Sequence, residues 1–495
     1  MFQKSKITLA IVLLFALGLR LIGLNSRPTW YDEAFSLLLA KQGPTAIING
    51  TLATDSNASA AEEHPPAYYF ALWSWIQVFG NSITTARLLS IFFSLGTIFL
   101  VYFIVKHLFI HPATTWWAVL LVTILPFQIH FGVEVRMYMM LAFCLTLTTY
   151  AFLKRNWFLF SIAAALSQYT HNLAVIYLIP LALTPIFQRD WKTLRALTLA
   201  GFGSIILYSP WLAQLPAQIS KVTSSFWVEK PGIEKLFTLT LMYLPHLPLP
   251  NLLLPFALLF AVLIIALATF QTYKALKDNS EDGSTGLWLM YLSFAPPLLL
   301  WLVSQIFPIY VERALLPSHV FFCIWLAWAF MKTKLPRLVQ AFAFAFIFSS
   351  AGIGFNQHIT YKDFPYVSPN LITSLQSRYE DGDVVVHSSK LSYLPSFYYN
   401  ATLPEGFILD PVNSSIDTLS PATRHILKLK SFTDIQASTS NADRIWFIIY
   451  QNSIDEYQNA GQTQPQLDYL NENFQLKSVE NWDALRLYLY ERKIP

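Results

Sequence analysis

Long apolar stretches separated by short polar ones dominate the first three quarters of the chain. Eleven such runs lie at about 7–24, 83–107, 114–131, 137–153, 157–170, 172–187, 195–213, 251–273, 286–306, 315–331 and 336–355. Each approaches the roughly twenty residues that a helix needs to cross the hydrocarbon core of a bilayer. The fifth and sixth are short and poorly separated. Two further apolar stretches, Ala34 to Ala40 and Ala67 to Val78, are too short to cross and are expected as helices lying in the membrane interface. Residues 214–250 mix Lys221, Glu229, Lys230, Glu234 and Lys235 with Pro245, Pro248 and Pro250, and are expected as a surface loop. From about residue 356 the pattern changes. Asp383 to His387, Arg444 to Tyr450 and Ala484 to Tyr490 have the β-branched and aromatic character of strands, and Ser368 to Glu380 reads as a helix with a serine cap. The expected architecture is a polytopic α-helical membrane protein of about eleven spans, residues 1–355, with a long loop at 25–82. A C-terminal soluble α/β domain follows, residues 356–495.

Composition supports the membrane assignment. Of 495 residues, 54% are hydrophobic and 13% charged, against about 25% charged in soluble domains. The 16% of aromatic residues suits interfacial belts of Trp and Tyr. A net charge of +4, spread along the chain, gives no reason to expect a nucleic-acid partner. Cys144 and Cys323 both fall in apolar runs and read as small core residues. Lys4 and Lys6 precede the first apolar run, no small-residue cleavage site follows it, and it is expected to be kept as a first helix. With the N-terminus in the cytoplasm, the inner connections carry Lys106, Lys154, Arg155, Arg189, Lys192, Arg195, Lys274, Lys277, Lys332, Lys334 and Arg337. The outer short loops carry fewer basic residues, as the positive-inside rule requires. An odd number of spans then places the C-terminal domain outside the plasma (inner) membrane.

Under this topology the unusual polar residues collect at the outer helix ends. They are Asp32, Glu33, Glu62, Glu63, His64, Glu134, Arg136, His171, Glu312 and Arg313. Any one of them has a bland reading as a solvated helix-end residue, but their one-sidedness points to a shared site. Asp32 and Glu33 are adjacent, about 100° apart on a helix, so they serve different partners. Asp32 either caps a helix over 33–43 or acts as a general base. Glu63 and His64 precede Pro65 and Pro66, which stiffen the segment. They could orient a substrate or supply two ligands to a divalent metal ion, and metal dependence stays open. Tyr68 and Tyr69 could pack on a sugar face or belong to the interfacial belt. Glu134 and Tyr138 share a face if a helix starts before them. Arg136 and Arg313 are the candidates to hold a phosphate, because a guanidinium matches phosphate oxygens with paired bonds. The alternative for each is an ion pair with its neighbouring glutamate. His171 alone reads more readily as a packed polar residue than as a ligand.

The order of motifs resembles a known family. Asp32-Glu33-Ala34, Glu63-His64-Pro65-Pro66-Ala67-Tyr68-Tyr69, Arg87-Leu88-Leu89-Ser90, Glu134-Val135-Arg136-Met137-Tyr138, Tyr169-Thr170-His171 and Glu312-Arg313 look like a bacterial glycosyltransferase of the protein-mannosyltransferase and aminoarabinose-transferase superfamily. The resemblance covers about residues 1–355 and is strongest before residue 140. It implies the C-type glycosyltransferase fold and transfer of a sugar from a polyprenyl-phosphate donor on the outer membrane face, usually with inversion. It also implies that Asp32 is the base, that Glu33 is the acid beside it, and that Glu63 is the acid before the double proline. In aminoarabinose transferases a lysine commonly follows that acid, and here the residue is His64, a pattern closer to the mannosyltransferases. The acceptor could be a lipid, a polysaccharide or a protein.

Three other readings are weaker. A transporter or flippase of lipid-linked sugars predicts ionisable residues near the bilayer midplane and repeat symmetry, and neither is seen in the sequence. An oligosaccharyltransferase subunit would carry a Trp-Trp-Asp signature in the soluble tail, whereas Trp116-Trp117 lies in an apolar run and is followed by Ala118. A non-catalytic structural or receptor protein would use the acidic clusters only for binding.

Overall fold

The computed structural model describes residues 2–52, 64–216, 228–245, 247–332, 336–360, 366–411, 419 and 421–493. Two compact units emerge. The first comprises Met1–Leu24, His64–Tyr68 and Arg87–Ile359, and the second Asn25–Glu63, Tyr69–Ala86 and Thr360–Pro495.

The first unit is helical, and every apolar run read from the sequence forms helix. Among the described residues five helices are long and apolar enough to cross a membrane: Ile83–Leu108, Leu254–Lys277, Gly283–Val303, Glu312–Lys332 and Leu338–Thr360. Three shorter apolar helices are Pro112–Ile124, Tyr138–Leu153 and Ala174–Phe187. The run expected at 114–131 is not one helix. Leu125 takes an extended conformation ahead of Pro126, because a residue before proline disfavours the helical region, and a short helix Pro126–Phe131 restarts beyond it. The runs at 157–170 and 172–187 are separate helices, divided by His171 in an extended conformation. Residues 228–245 are also more ordered than a loop. Glu234–Tyr243 is a helix, and Trp301 Nε1 and Gln305 Nε2 each donate at 3.0 Å to the backbone carbonyls of Gly232 and Pro231.

Leu316–Lys332 is the axis of this unit, buried on all sides from Leu316 to Phe330. Such a helix is apolar all round because it meets protein in every direction. Its few polar atoms are paired. Trp325 Nε1 donates to Thr272 Oγ1 at 2.9 Å, and Trp328 Nε1 to Asp282 Oδ2 at 3.1 Å. Gly286 is required here, since a Cβ on it would stand 2.1 Å from the Trp328 ring. Cys144 and Cys323 are buried free thiols.

The second unit is built on a six-stranded sheet. A two-stranded pair, β1 (Thr29–Trp30) and β2 (Tyr366–Val367), precedes β3 (Val384–His387), β4 (Glu405–Ile408), β5 (Ser431–Phe432), β6 (Arg444–Tyr450), β7 (Phe474–Trp482) and β8 (Leu485–Arg492). The sheet order is β5-β4-β3-β6-β8-β7, parallel from β5 to β6 and antiparallel beyond. Strand β6 shows why the sheet forms: Trp446, Ile448 and Tyr450 enter one apolar cluster, while Ile445, Phe447 and Ile449 enter the other. That alternation, apolar on both faces, is what a central strand covered on both sides requires. The expected helix is Pro369–Arg378, with Ser368 Oγ accepting from the Asn370 amide.

One polar knot interrupts this core. His387 Nε2 and Glu405 Oε2 are 3.0 Å apart and fully buried, His387 Nδ1 meets Ser392 Oγ at 3.0 Å, and Ser396 Oγ donates to Glu405 Oε2 at 2.6 Å. The knot fastens the helix Lys390–Tyr399 to β3 and β4. Removing one partner of such a buried pair strands the other. Glu405→Ala is therefore expected to destabilise the unit by about 3–5 kcal/mol, read as an early unfolding transition in differential scanning fluorimetry of the full chain.

Candidate active site

In the first unit, the helix Ile83–Leu108 organises the site through residues three apart. Arg87, buried, donates from Nη1 to the Leu24 carbonyl at 2.6 Å, and Ser90 Oγ donates to the Glu134 carbonyl at 2.5 Å. Positions i and i+3 share a helix face, so one helix holds both the turn that follows the first helix, Phe2–Leu21, and the turn carrying Glu134 and Arg136. The Arg136 amide donates to the Glu134 carbonyl at 2.8 Å and tightens that turn. The helix beyond begins only at Tyr138, so Glu134 and Tyr138 do not share a helix face as the sequence suggested.

They are brought together differently, by Arg313. Its Nη1 lies 3.9 Å from Glu134 Oε1, and its guanidinium carbon lies 4.8 Å from the centre of the Tyr138 ring. The Tyr138 ring in turn lies 5.6 Å from the His171 ring, and His64 packs edge-on against His171 at 4.8 Å. Glu134, Arg136 and His171 are all nearly inaccessible, at 6%, 5% and 5% exposure, as is Tyr68 at 0%. Five of the residues singled out in the sequence thus form a contact chain, Glu134–Arg313–Tyr138–His171–His64, with Arg136 close enough to act electrostatically on His171.

The imidazole of His171 is the most informative group. Burial, then the nearby His64, Arg136 and Arg313, hold its pKa well below the ordinary 6.5. It is therefore neutral at physiological pH. Its Nδ1 accepts from the Leu173 amide at 3.1 Å, which leaves the proton on Nε2. That buried Nε2 has no hydrogen-bond partner among the described residues. A buried N–H donor beside two arginines is suited to an anion. Linkage follows in sign: the unfolded chain takes up this proton near pH 6.5 and the folded chain only at lower pH, so stability falls as pH drops from about 6.5.

The remaining sequence candidates divide. Glu312 pairs with Lys235 at 2.8 Å, not with Arg313, so the ion pair between these neighbours, the alternative reading of Arg313, is not formed. Lys235, read from sequence only as a loop charge, stands beside the site through this contact. Asp32, Glu33 and Tyr69 belong to the second unit. The helix Tyr31–Lys41 begins one residue before Asp32, with Trp30 at the cap and no side-chain cap bond, so Asp32 is not the cap. Asp32 and Glu33 lie in its first turn, where carboxylates are stabilised by the helix dipole. Glu33 is buried, and Tyr69 packs against Phe35 at 6.5 Å between ring centres. Glu62 and Glu63 lie outside the described residues. Among the described residues no group of three or more His, Cys, Asp or Glu side chains is placed to hold a metal ion.

Residues 63–213 match the family model described as dolichyl-phosphate-mannose-protein mannosyltransferase. No curated protein matches the chain by sequence. Among solved structures, ArnT from Cupriavidus metallidurans in the apo state superposes with a TM-score of 0.64 at 11% identity, covering 98% of each chain. The same protein bound to undecaprenyl phosphate gives 0.64 at 10% identity over 97% of each chain. The chain shares the fold of ArnT. Within this fold, the family-model match spans Glu63, His64, Tyr68, Tyr69, Glu134, Arg136, Tyr138 and His171. Asp32, Glu33, Glu312 and Arg313 lie outside that match, and only the structural similarity extends over them.

Proposed function

We propose that this chain is a membrane glycosyltransferase that moves a sugar from a polyprenyl-phosphate donor to an acceptor at the outer face of the plasma membrane, with inversion. The observation that carries the reading is the cluster of the buried Arg136, the partly buried Arg313 and the neutral, proton-bearing His171 Nε2. It lies in a chain that shares a fold over its whole length with a protein crystallised with undecaprenyl phosphate. A lipid-linked donor needs an apolar seat for its chain and a cationic one for its phosphate. The apolar helices supply the first and this cluster the second.

In the reaction, an acceptor oxygen or nitrogen forms a bond to the anomeric carbon while the bond from that carbon to the phosphate oxygen breaks. The electron pair leaves with the phosphate, whose growing charge Arg136, Arg313 and the His171 N–H stabilise. The acceptor's proton passes to the Asp32 carboxylate, acting as general base. Glu33 supports that segment, and His64, Tyr68 and Tyr69 contact the sugar. A lipid, a polysaccharide or a protein satisfies the acceptor's chemistry, since each offers a nucleophilic group with a removable proton.

Binding tests the phosphate seat. The purified protein in nanodiscs should bind undecaprenyl phosphate and discriminate against undecaprenol, which has the same chain without the charge. Equal affinity for the two would contradict the reading. His171→Phe should weaken undecaprenyl phosphate binding by about tenfold or more, since a hydrogen bond to a charged group is worth about 1.5–3 kcal/mol. His171→Gln, which keeps an N–H donor, should recover most of that loss in the same titration.

A further inference from the structure

The second unit joins the Asp32 segment to the C-terminal α/β domain through a specific set of contacts. Strand β1 pairs antiparallel with β2, Thr29 opposite Val367 and Trp30 opposite Tyr366. The Thr29 amide, on a fully buried residue, donates to the Tyr399 hydroxyl at 2.8 Å. Arg27 Nη1 donates to the Tyr366 hydroxyl at 3.4 Å, and the Tyr398 hydroxyl donates to the Asn81 carbonyl at 3.2 Å. The helix Tyr31–Lys41, which starts directly after β1 and carries Asp32 and Glu33 in its first turn, packs along the helix Lys390–Tyr399. That second helix is the one fastened to the sheet by the knot of His387, Glu405, Ser392 and Ser396.

These contacts form a continuous path from the sheet to the acid pair. The knot fixes one helix to β3 and β4. The ring of Tyr399, at the end of that helix, packs against the apolar cluster of the C-terminal domain. Its hydroxyl holds the backbone three residues before Asp32. A two-residue strand is too short to fix a loop by itself, and a base must be held in a near-attack geometry to be effective.

We propose that the C-terminal domain is the positioning frame for the Asp32–Glu33 segment, and that Tyr399 is a positioning residue for transfer. This rests on the reading of Asp32 as the base. It assigns the domain a role in turnover.

The test compares wild type, Tyr399→Phe and Asp32→Asn as full-length purified proteins. Tyr399→Phe keeps the packed ring and removes only the hydroxyl that accepts from Thr29. It should lower kcat by about tenfold, within the range that small misplacements of reacting groups produce, and leave the donor KM unchanged. Hydrogen exchange followed by mass spectrometry should show faster exchange in the peptide covering residues 26–36, with the sheet peptides unaffected. A merely structural defect would instead loosen the sheet peptides or reduce the folded fraction without changing kcat per folded molecule, and that result overturns the proposal. Full kcat and unchanged exchange in Tyr399→Phe, with Asp32→Asn inactive, also overturns it. If Asp32→Asn stays fully active, the assignment of the base fails, and the exchange of residues 26–36 still decides whether Tyr399 holds the segment.

Discussion

Asp32→Asn is expected to lower sugar transfer by about 10²–10⁴-fold, the range that a positioned general base contributes. The substitution preserves shape while removing the negative charge and the ability to take a proton, and loss of a first-turn charge costs less than about 1 kcal/mol. The helix Tyr31–Lys41 does not depend on the Asp32 side chain for a cap, because Trp30 occupies that position and makes no side-chain cap bond. The Asp32 carbonyl accepts from Ser36 Oγ at 2.8 Å, and that bond is unchanged in the variant. The melting temperature and the affinity for the lipid-linked donor should therefore stay close to wild type while kcat collapses. Steady-state kinetics with a labelled donor measure the split. Glu33, buried beside it, is expected to behave differently: Glu33→Gln should disturb stability and activity together.

Arg313→Gln is the second large effect expected. The substitution removes the ion pair with Glu134, the stacking over Tyr138 and one of the charges that act on His171. If the guanidinium stabilises charge developing on the leaving phosphate, kcat should fall by about 10²–10³-fold, as for loss of one donor at a site of growing negative charge. Arg313→Lys keeps the charge but not the planar fork, and should recover only part of the loss. Arg136→Gln should act in the same direction. A second readout separates this role from structural support: the affinity for free undecaprenyl phosphate should fall in each arginine variant, while binding of undecaprenol stays as in wild type.

Much of this was legible from residue order. The apolar runs form helices because length and hydropathy dominate that choice. The strands at 384–387, 444–450 and 485–492 carry continuous β-branched and aromatic residues. Strands β4 and β7 carry no such signal. β4 begins with a buried carboxylate and a glycine, Glu405-Gly406, and β7 is a largely exposed edge strand rich in polar residues. Both owe their conformation to pairing partners, which local sequence does not display.

The site divides in the same way. Glu134, Arg136 and His171 were singled out by their position near helix ends, and the structure buries all three. The partner choices were not legible. Arg313 meets Glu134 across 179 residues of chain and Glu312 meets Lys235 across 77, and only tertiary packing decides such pairings. The value of Arg87 and Ser90 was visible only as part of a motif. Their shared helix face, one residue holding Leu24 and the other Glu134, gives that motif its physical content. By sequence alone His171 reads as a packed polar residue. The break between two helices was the available signal, because it puts an imidazole where its backbone is extended and its second nitrogen is left without a partner among the described residues.

The central claim is most directly tested by incubating the purified protein in nanodiscs with a panel of labelled polyprenyl-phosphate sugars and cell-envelope acceptor, with and without a chelator. The account predicts that at least one donor is consumed, that free polyprenyl phosphate appears in step with glycosylated acceptor of inverted anomeric configuration, and that Asp32→Asn abolishes both. Movement of intact donor across the bilayer with no cleavage of the sugar–phosphate bond, for every sugar in the panel, would contradict it.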